Sequence, residues 1–110
     1  MPVVHPRPAF EAAVTERIAW LGEHAPEEWL DSFLSALATL RHDLEQFPEA
    51  SVILKQDARV VVRRRTFPMG LPYVVYYAHL RAEPIAVVYL THLFHERQRR
   101  PEIDLGAWPW

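Results

Sequence analysis

Tyr73-Val74-Val75-Tyr76-Tyr77-Ala78-His79-Leu80 and Ile85-Ala86-Val87-Val88-Tyr89-Leu90-Thr91-His92 are two runs rich in tyrosine and β-branched residues. Side chains of this kind favour extended backbone. Arg81-Ala82-Glu83-Pro84 is a natural four-residue connection between them, so the pair predicts an antiparallel hairpin. A symmetric hairpin sets Leu80 opposite Ile85, Tyr76 opposite Tyr89 and Tyr73 opposite His92. Because side chains alternate along a strand, Tyr73, Val75, Tyr77, His79, Ala86, Val88, Leu90 and His92 share one face. Its four polar tips suit an open concavity. Val74, Tyr76, Ala78, Leu80, Ile85, Val87, Tyr89 and Thr91 share the other face, which reads as the layer beneath a pair of helices.

Those helices come earlier in the chain. Phe10, Ala13, Val14, Ile18 and Leu21 recur at helical spacing, and Gly22 is placed to end the run. Pro26 sits well in a first turn, with Glu27 and Glu28 beside the positive end of the helix dipole. Leu30, Phe33, Leu34, Leu37, Leu40, Leu44 and Phe47 then mark one long stripe, and Pro48 stops it. Two helices joined so closely predict a hairpin whose stripe needs a sheet to cover it. Val3-Val4-His5 reads as a short strand before them. Val52-Ile53-Leu54 reads equally as a strand or a buried loop. Residues 59–67 read as a strand, with Val60-Val61-Val62 followed by Arg63-Arg64-Arg65 and broken by Pro68-Met69-Gly70.

At 110 residues the chain suits one domain with a core that needs no disulfide, and its 50% hydrophobic content supplies that core. The absence of cysteine excludes disulfide staples and thiolate-bound metals. No signal-like apolar run opens the chain, and nowhere do about 18 apolar residues run together, so a cytoplasmic protein without a membrane partner is expected. The net charge of −2 hides an asymmetry. Residues 1–50 carry nine acidic and three basic side chains, a net −6, and residues 51–110 carry nine basic and five acidic ones, a net +4. Either the second half meets an anionic partner or the two halves pair with each other.

The order of these elements and the residues that decorate them resemble the RelE/ParE superfamily of toxins from bacterial type II toxin–antitoxin pairs. The resemblance rests on Phe33-Leu34 through Leu44 with Pro48 closing the long helix. It rests also on Arg64-Arg65 leading into Leu71-Pro72-Tyr73-Val74-Val75-Tyr76-Tyr77, on Val87-Val88-Tyr89-Leu90-Thr91-His92, and on the basic stretch closing at Pro101. It covers roughly residues 3 to 101 and no single motif is diagnostic. The family shows one histidine followed closely by Arg-Arg, whereas here Leu93-Phe94 separates His92 from His95-Glu96-Arg97, so both histidines stand as candidates. The resemblance implies an α+β fold of order β-α-α-β-β-β, its helical hairpin packed on one face of a mainly antiparallel sheet. It implies a single toxin domain over 1–101 with 102–110 as a C-terminal tail. It also implies a hetero-oligomer with a cognate antitoxin, and either of two activities, poisoning of DNA gyrase or ribosome-dependent cleavage of mRNA.

Cleavage of RNA without a metal needs a proton acceptor, a proton donor and cations for the phosphate. His92 or His95 would move the proton, Tyr73 would donate a second one or stack on a base, and Arg65 would hold phosphate. Arg63, Arg64, Arg65, Arg97, Arg99 and Arg100 form the wider set for a target or a phosphate, although one of the strand arginines is expected to pair with the acidic helices. No cofactor is expected. His92 and His95 would share a metal only if they lay on a helix, and two ligands make a weak site. The net negative charge weighs against a protein that docks into ribosomal RNA, because phosphate neutralisation supplies most of such affinity. A gyrase-like protein target therefore leads, with a metal-independent endoribonuclease and a non-toxic binding module as the alternatives. Trp108 and Trp110 are read as partner anchors, and Trp20 and Trp29 as packing at the turn between the helices.

Overall fold

The computed structural model describes residues 2–80, 87–100 and 102–106. Residues 81–86, Pro101, Trp108 and Trp110 lie outside them, so the expected four-residue connection and the tryptophan anchors fall there. The order is β1 (Val3–Pro6), α1 (Pro8–His24), α2 (Glu27–Gln46), β2 (Val52–Gln56), β3 (Val60–Thr66), β4 (Tyr73–Leu80) and β5 (Val87–His95). Two helices pack against one five-stranded sheet of order β1-β5-β4-β3-β2. β1 runs parallel to β5, and every other neighbouring pair is antiparallel. The sheet thus has one strand more than expected. Val52–Gln56, which sequence left between strand and loop, is the β2 edge, with Val52 and Ile53 exposed. No helix among the described residues is long and apolar enough to cross a membrane.

Pro8 opens α1, where its missing N–H costs nothing, and α1 runs through Gly22 to His24 rather than stopping there. α2 buries Phe33, Ala36, Leu40 and Leu44, with Leu30 and Leu37 at the margin of the same core. Leu34 and Phe47 of the expected stripe are exposed instead. For Phe47 the reason is local: helical backbone ends at Gln46, and φ −136° at Phe47 turns the chain away.

The two faces of the sheet are the reverse of the expectation. Tyr73, Val75, Tyr77, Val88 and Leu90 lie under the helices, in one cluster with Phe10, Phe33 and Leu44. Val74, Tyr76, Ala78 and Phe94 form the other face with Val60 and Val62, where Leu54, Leu80, Tyr89, Ile103 and Leu105 pack over them. The tyrosine tips misled the assignment because they find partners inside. Phe33, Phe67 and Tyr73 pack as a trio of rings with centroids 5.4–5.5 Å apart. Tyr77, fully buried, donates its hydroxyl to the Pro48 carbonyl (2.6 Å) and lies against the Ser51 hydroxyl.

The β4–β5 register also differs. Leu80 pairs with Val87 and Tyr77 with Leu90; beyond a bulge Tyr76 pairs with His92 and Tyr73 with His95. The expected pairs Tyr76–Tyr89 and Tyr73–His92 are therefore replaced; Tyr89 pairs with Ala78. Thr91 is the extra residue. Its side chain is fully buried, and its hydroxyl donates to the Tyr76 carbonyl (3.1 Å), so the unpaired position is internally satisfied.

The connection from α2 to β2 is held by side chains from the sheet. Arg63 Nη1 donates to the Glu49 and Ser51 carbonyls (3.0 and 2.9 Å), and Arg65 Nη2 donates to those of Phe47 and Ala50 (both 2.9 Å). With Tyr77 on Pro48, five consecutive carbonyls are taken by three side chains. These two arginines meet carbonyl oxygens of the cap and the loop that follow α2, not helix carboxylates. Arg63 is only 8% exposed, so its loss strands two carbonyls and part of a desolvated cavity. We predict that Arg63→Met costs about 2–3 kcal/mol and Tyr77→Phe about 1–3 kcal/mol of unfolding free energy. Arg64→Ala should stay within about 0.5 kcal/mol. Urea denaturation of the three variants beside the parent checks this order.

Candidate functional site

The bulge at Thr91 sorts the two candidate histidines. One inserted residue exchanges the faces of everything beyond it, so His92 joins Tyr76 on the far face and His95 joins Tyr73 on the helix face. They lie on a strand and on opposite faces, which removes the shared-metal geometry. Among the described residues no three of His, Asp or Glu are grouped to hold a metal ion.

His92 is half-buried in an aromatic setting. Its ring stacks on Phe94 (5.3 Å, 9°), stands edge-on to Tyr76 (6.3 Å), and places Nδ1 3.0 Å from the Thr91 hydroxyl. Burial pushes its pKa below the usual histidine value because the charged ring loses hydration. Such a residue supports the bulge.

His95 is placed differently. It closes β5 in a tight turn in which the Arg97 amide donates to its Nδ1 (3.2 Å) and the Gln98 amide to its carbonyl (2.9 Å). The neutral ring therefore carries its proton on Nε2. Its ring stands edge-on to Tyr73 at 5.9 Å. The Glu96 amide donates to the Pro72 carbonyl (2.9 Å), which ties this turn to the start of β4.

Tyr73 is the centre of the region. On the helix side, Tyr73 and His95 form the floor of a groove of about 520 Å³, walled by Trp20, Trp29, Phe33 and Arg17. Trp20 and Trp29 are 46% and 57% exposed, and both line this groove. The Arg17 guanidinium lies over the rings of both Trp20 (5.3 Å) and Tyr73 (5.5 Å), while the His24 ring stacks on Trp20 (5.1 Å, 19°). His24, Trp20, Arg17, Tyr73 and His95 thus run as a continuous series of ring and cation contacts. On the other side, Tyr73 also borders a cavity of about 580 Å³ lined by Arg64, Thr66, Glu96 and Arg100. Arg100 donates to the Glu96 carbonyl (2.9 Å) at its rim.

The candidates read from sequence are thereby divided. Tyr73 and His95 come together, and Arg64 and Arg100 face the adjoining cavity. Arg63 and Arg65 have their guanidinium groups on backbone carbonyls, Arg97 and Arg99 are exposed in the turn after β5, and His92 lies across the sheet. Arg17, Trp20 and Trp29 were missed. The one trace they leave in the sequence is that Arg17 and Trp20 stand three apart, neighbours on a helix surface, with Trp20 off the apolar stripe.

Comparison of the chain with protein-family models, with curated proteins and with solved structures returns no match.

The lowered pKa of His92 has a signed consequence. The unfolded chain binds the proton more readily than the native state, so the neutral ring contributes stability above the unfolded pKa that is lost as pH falls through the folded one. Stability should fall as pH drops below about 6.5, and His92→Gln should flatten that fall. Urea midpoints across that window measure it; equal slopes for parent and variant would contradict it.

Proposed function

We propose that this protein is the toxin component of a bacterial type II toxin–antitoxin pair of the RelE/ParE kind, acting by binding a protein target such as DNA gyrase. A cognate antitoxin would neutralise it. The α+β arrangement, with a helical hairpin on one face of the sheet, is compatible with that class. The single observation that carries the choice of a protein target is the chemistry of the groove. Its walls are two exposed tryptophans with Phe33 over a floor of Tyr73 and His95, and among the described residues Arg17 is the one guanidinium that lines it. Exposed aromatic walls are what protein interfaces use as anchors, whereas a polyphosphate ligand calls for a row of cations. Two of the strand arginines, moreover, each hold one guanidinium nitrogen against carbonyls of residues 47–51.

A second reading has its own observation. Tyr73 and His95 are ring neighbours, and Arg64 and Arg100 open on the cavity that Tyr73 also borders. Such a pair beside two guanidinium groups would supply the proton donor, the proton acceptor and the phosphate contacts that a metal-independent endoribonuclease needs. His95 would act through the Nε2 edge that Arg97 leaves free.

The two readings separate in one set of assays. On expression, the protein-target reading predicts growth arrest and inhibited gyrase supercoiling, with no new mRNA ends by primer extension. Trp29→Ala should weaken the inhibition at least about tenfold, and His95→Ala should leave most of it. Ribosome-dependent cleavage abolished by His95→Ala would transfer the assignment to the nuclease. Absence of any growth effect from the full-length protein would remove both.

A further inference from the structure

The groove beside Tyr73 has an unusual wall. Most of its lining is apolar, yet one side is a guanidinium laid over two aromatic rings, Arg17 over Trp20 and Tyr73. Cation–π attraction of this kind places the guanidinium between two rings without using its N–H groups, which stay available for hydrogen bonds. Among the described residues Arg17 makes no hydrogen bond or ion pair, and no carboxylate lines the groove. Glu16 borders a separate small hollow of about 120 Å³ that also touches Arg17, Tyr73 and His95. His95 adds a second donor to the floor, since Arg97 holds its Nδ1 and directs the ring proton to Nε2. The groove therefore presents a pre-oriented fork and an imidazole N–H beside an indole-lined apolar slot.

We infer that Arg17 is the specificity residue of this groove, and that the groove takes an acidic peptide segment of a partner protein, one carboxylate on the Arg17 fork and an adjacent bulky apolar side chain between Trp29, Phe33 and Leu71. The inference deepens the protein-target reading and rests on it. Complementarity of charge selects the occupant. A carboxylate matches the fork bidentately, and the aromatic contacts hold the fork still so that little side-chain freedom is lost on binding. A volume of about 520 Å³ accommodates a few side chains rather than a folded surface. Single-stranded nucleic acid fits less well. Its successive phosphates would meet only Arg17 and His95 here, while Arg64 and Arg100 open onto the other cavity.

Selection of a random-peptide phage library on the immobilised full-length protein tests this directly. Enriched sequences should carry Asp or Glu next to Leu, Phe or Trp. A synthetic copy of the most enriched peptide should shift the indole N–H resonances of Trp20 and Trp29. Replacing its acid by the amide, or Arg17 by Gln, should weaken binding about tenfold or more. Arg17→Lys should recover only part of the loss, because it keeps the charge without the planar fork. Circular dichroism confirms that both variants stay folded, as a half-exposed helix position permits. No enrichment, enrichment without acids, or equal binding by Arg17→Gln would each overturn the inference, as would displacement of the peptide by an oligouridylate at lower concentration. Its failure is distinct from that of the protein-target reading. Supercoiling inhibition that survives Arg17→Gln would sink this inference alone, and acid-selective binding without any gyrase effect would sink the gyrase assignment alone.

Discussion

Five carbonyl groups in a row, from Phe47 to Ser51, meet side chains of the sheet where the long helix turns into it, and that of Phe47 also accepts from the Ala50 amide (3.2 Å). Loop carbonyls have no ladder or helical turn to satisfy them, and each that is buried without a partner is costly. Arg63 and Arg65 reach them from one strand and Tyr77 from the next. Everything else is positioned from this junction. It fixes where α2 ends, therefore how Phe33 and Leu44 meet the sheet, and therefore where Trp29 stands relative to Tyr73. Burial holds the Tyr77 phenol well on its neutral side, against the lowering pull of Ser51, Arg65 and Arg63. A neutral phenol is what the junction requires, because only the protonated form donates to Pro48.

A second constraint is a single residue wide. Thr91 occupies the place where β5 has one residue too many, and its hydroxyl closes the gap on the Tyr76 carbonyl. Without that insertion His95 would face away from Tyr73. The groove floor thus depends on a bulge some distance along the strand from it, and the half-buried His92 ring stacked on Phe94 packs against the same irregularity. The chemistry proposed for the groove is local, but its geometry is inherited from β4 and β5 as a pair.

These two features also explain what sequence could and could not reveal. The succession of helices and strands was legible because hydrophobic period is a local property: Leu30, Phe33, Leu37, Leu40 and Leu44 announce a helix wherever they pack. β4 and β5 were legible from composition. Their register was not, because its shift is set at Thr91, a polar residue that looks ordinary in a strand. The face assignment failed for a different reason. Seven of the eight β4 residues are buried, so no alternation of polar and apolar side chains tells inside from outside. Arg63 and Arg65 looked like ligand-binding residues because the carbonyls that occupy them lie 12 to 18 positions earlier in the chain. The groove was least legible of all. Arg17, Trp20 and Trp29 come from the helices and Tyr73 and His95 from the sheet, and only tertiary packing brings them within reach of one another.

The parallel pairing of β1 with β5 carries a consequence for the timing of assembly. Val3 meets Val87 and Pro6 meets Leu90, so a strand synthesised before both helices waits for one that follows every other element of the sheet. Loop closure over that separation is entropically expensive and forms late relative to local contacts. A growing polypeptide can wind both helices and fold the β3–β4 meander while β1 still lacks its neighbour. The floor of the groove is likewise missing until His95 has emerged. A chain halted before β5 therefore has neither the full five-stranded sheet nor both sides of the groove, which come together with one strand.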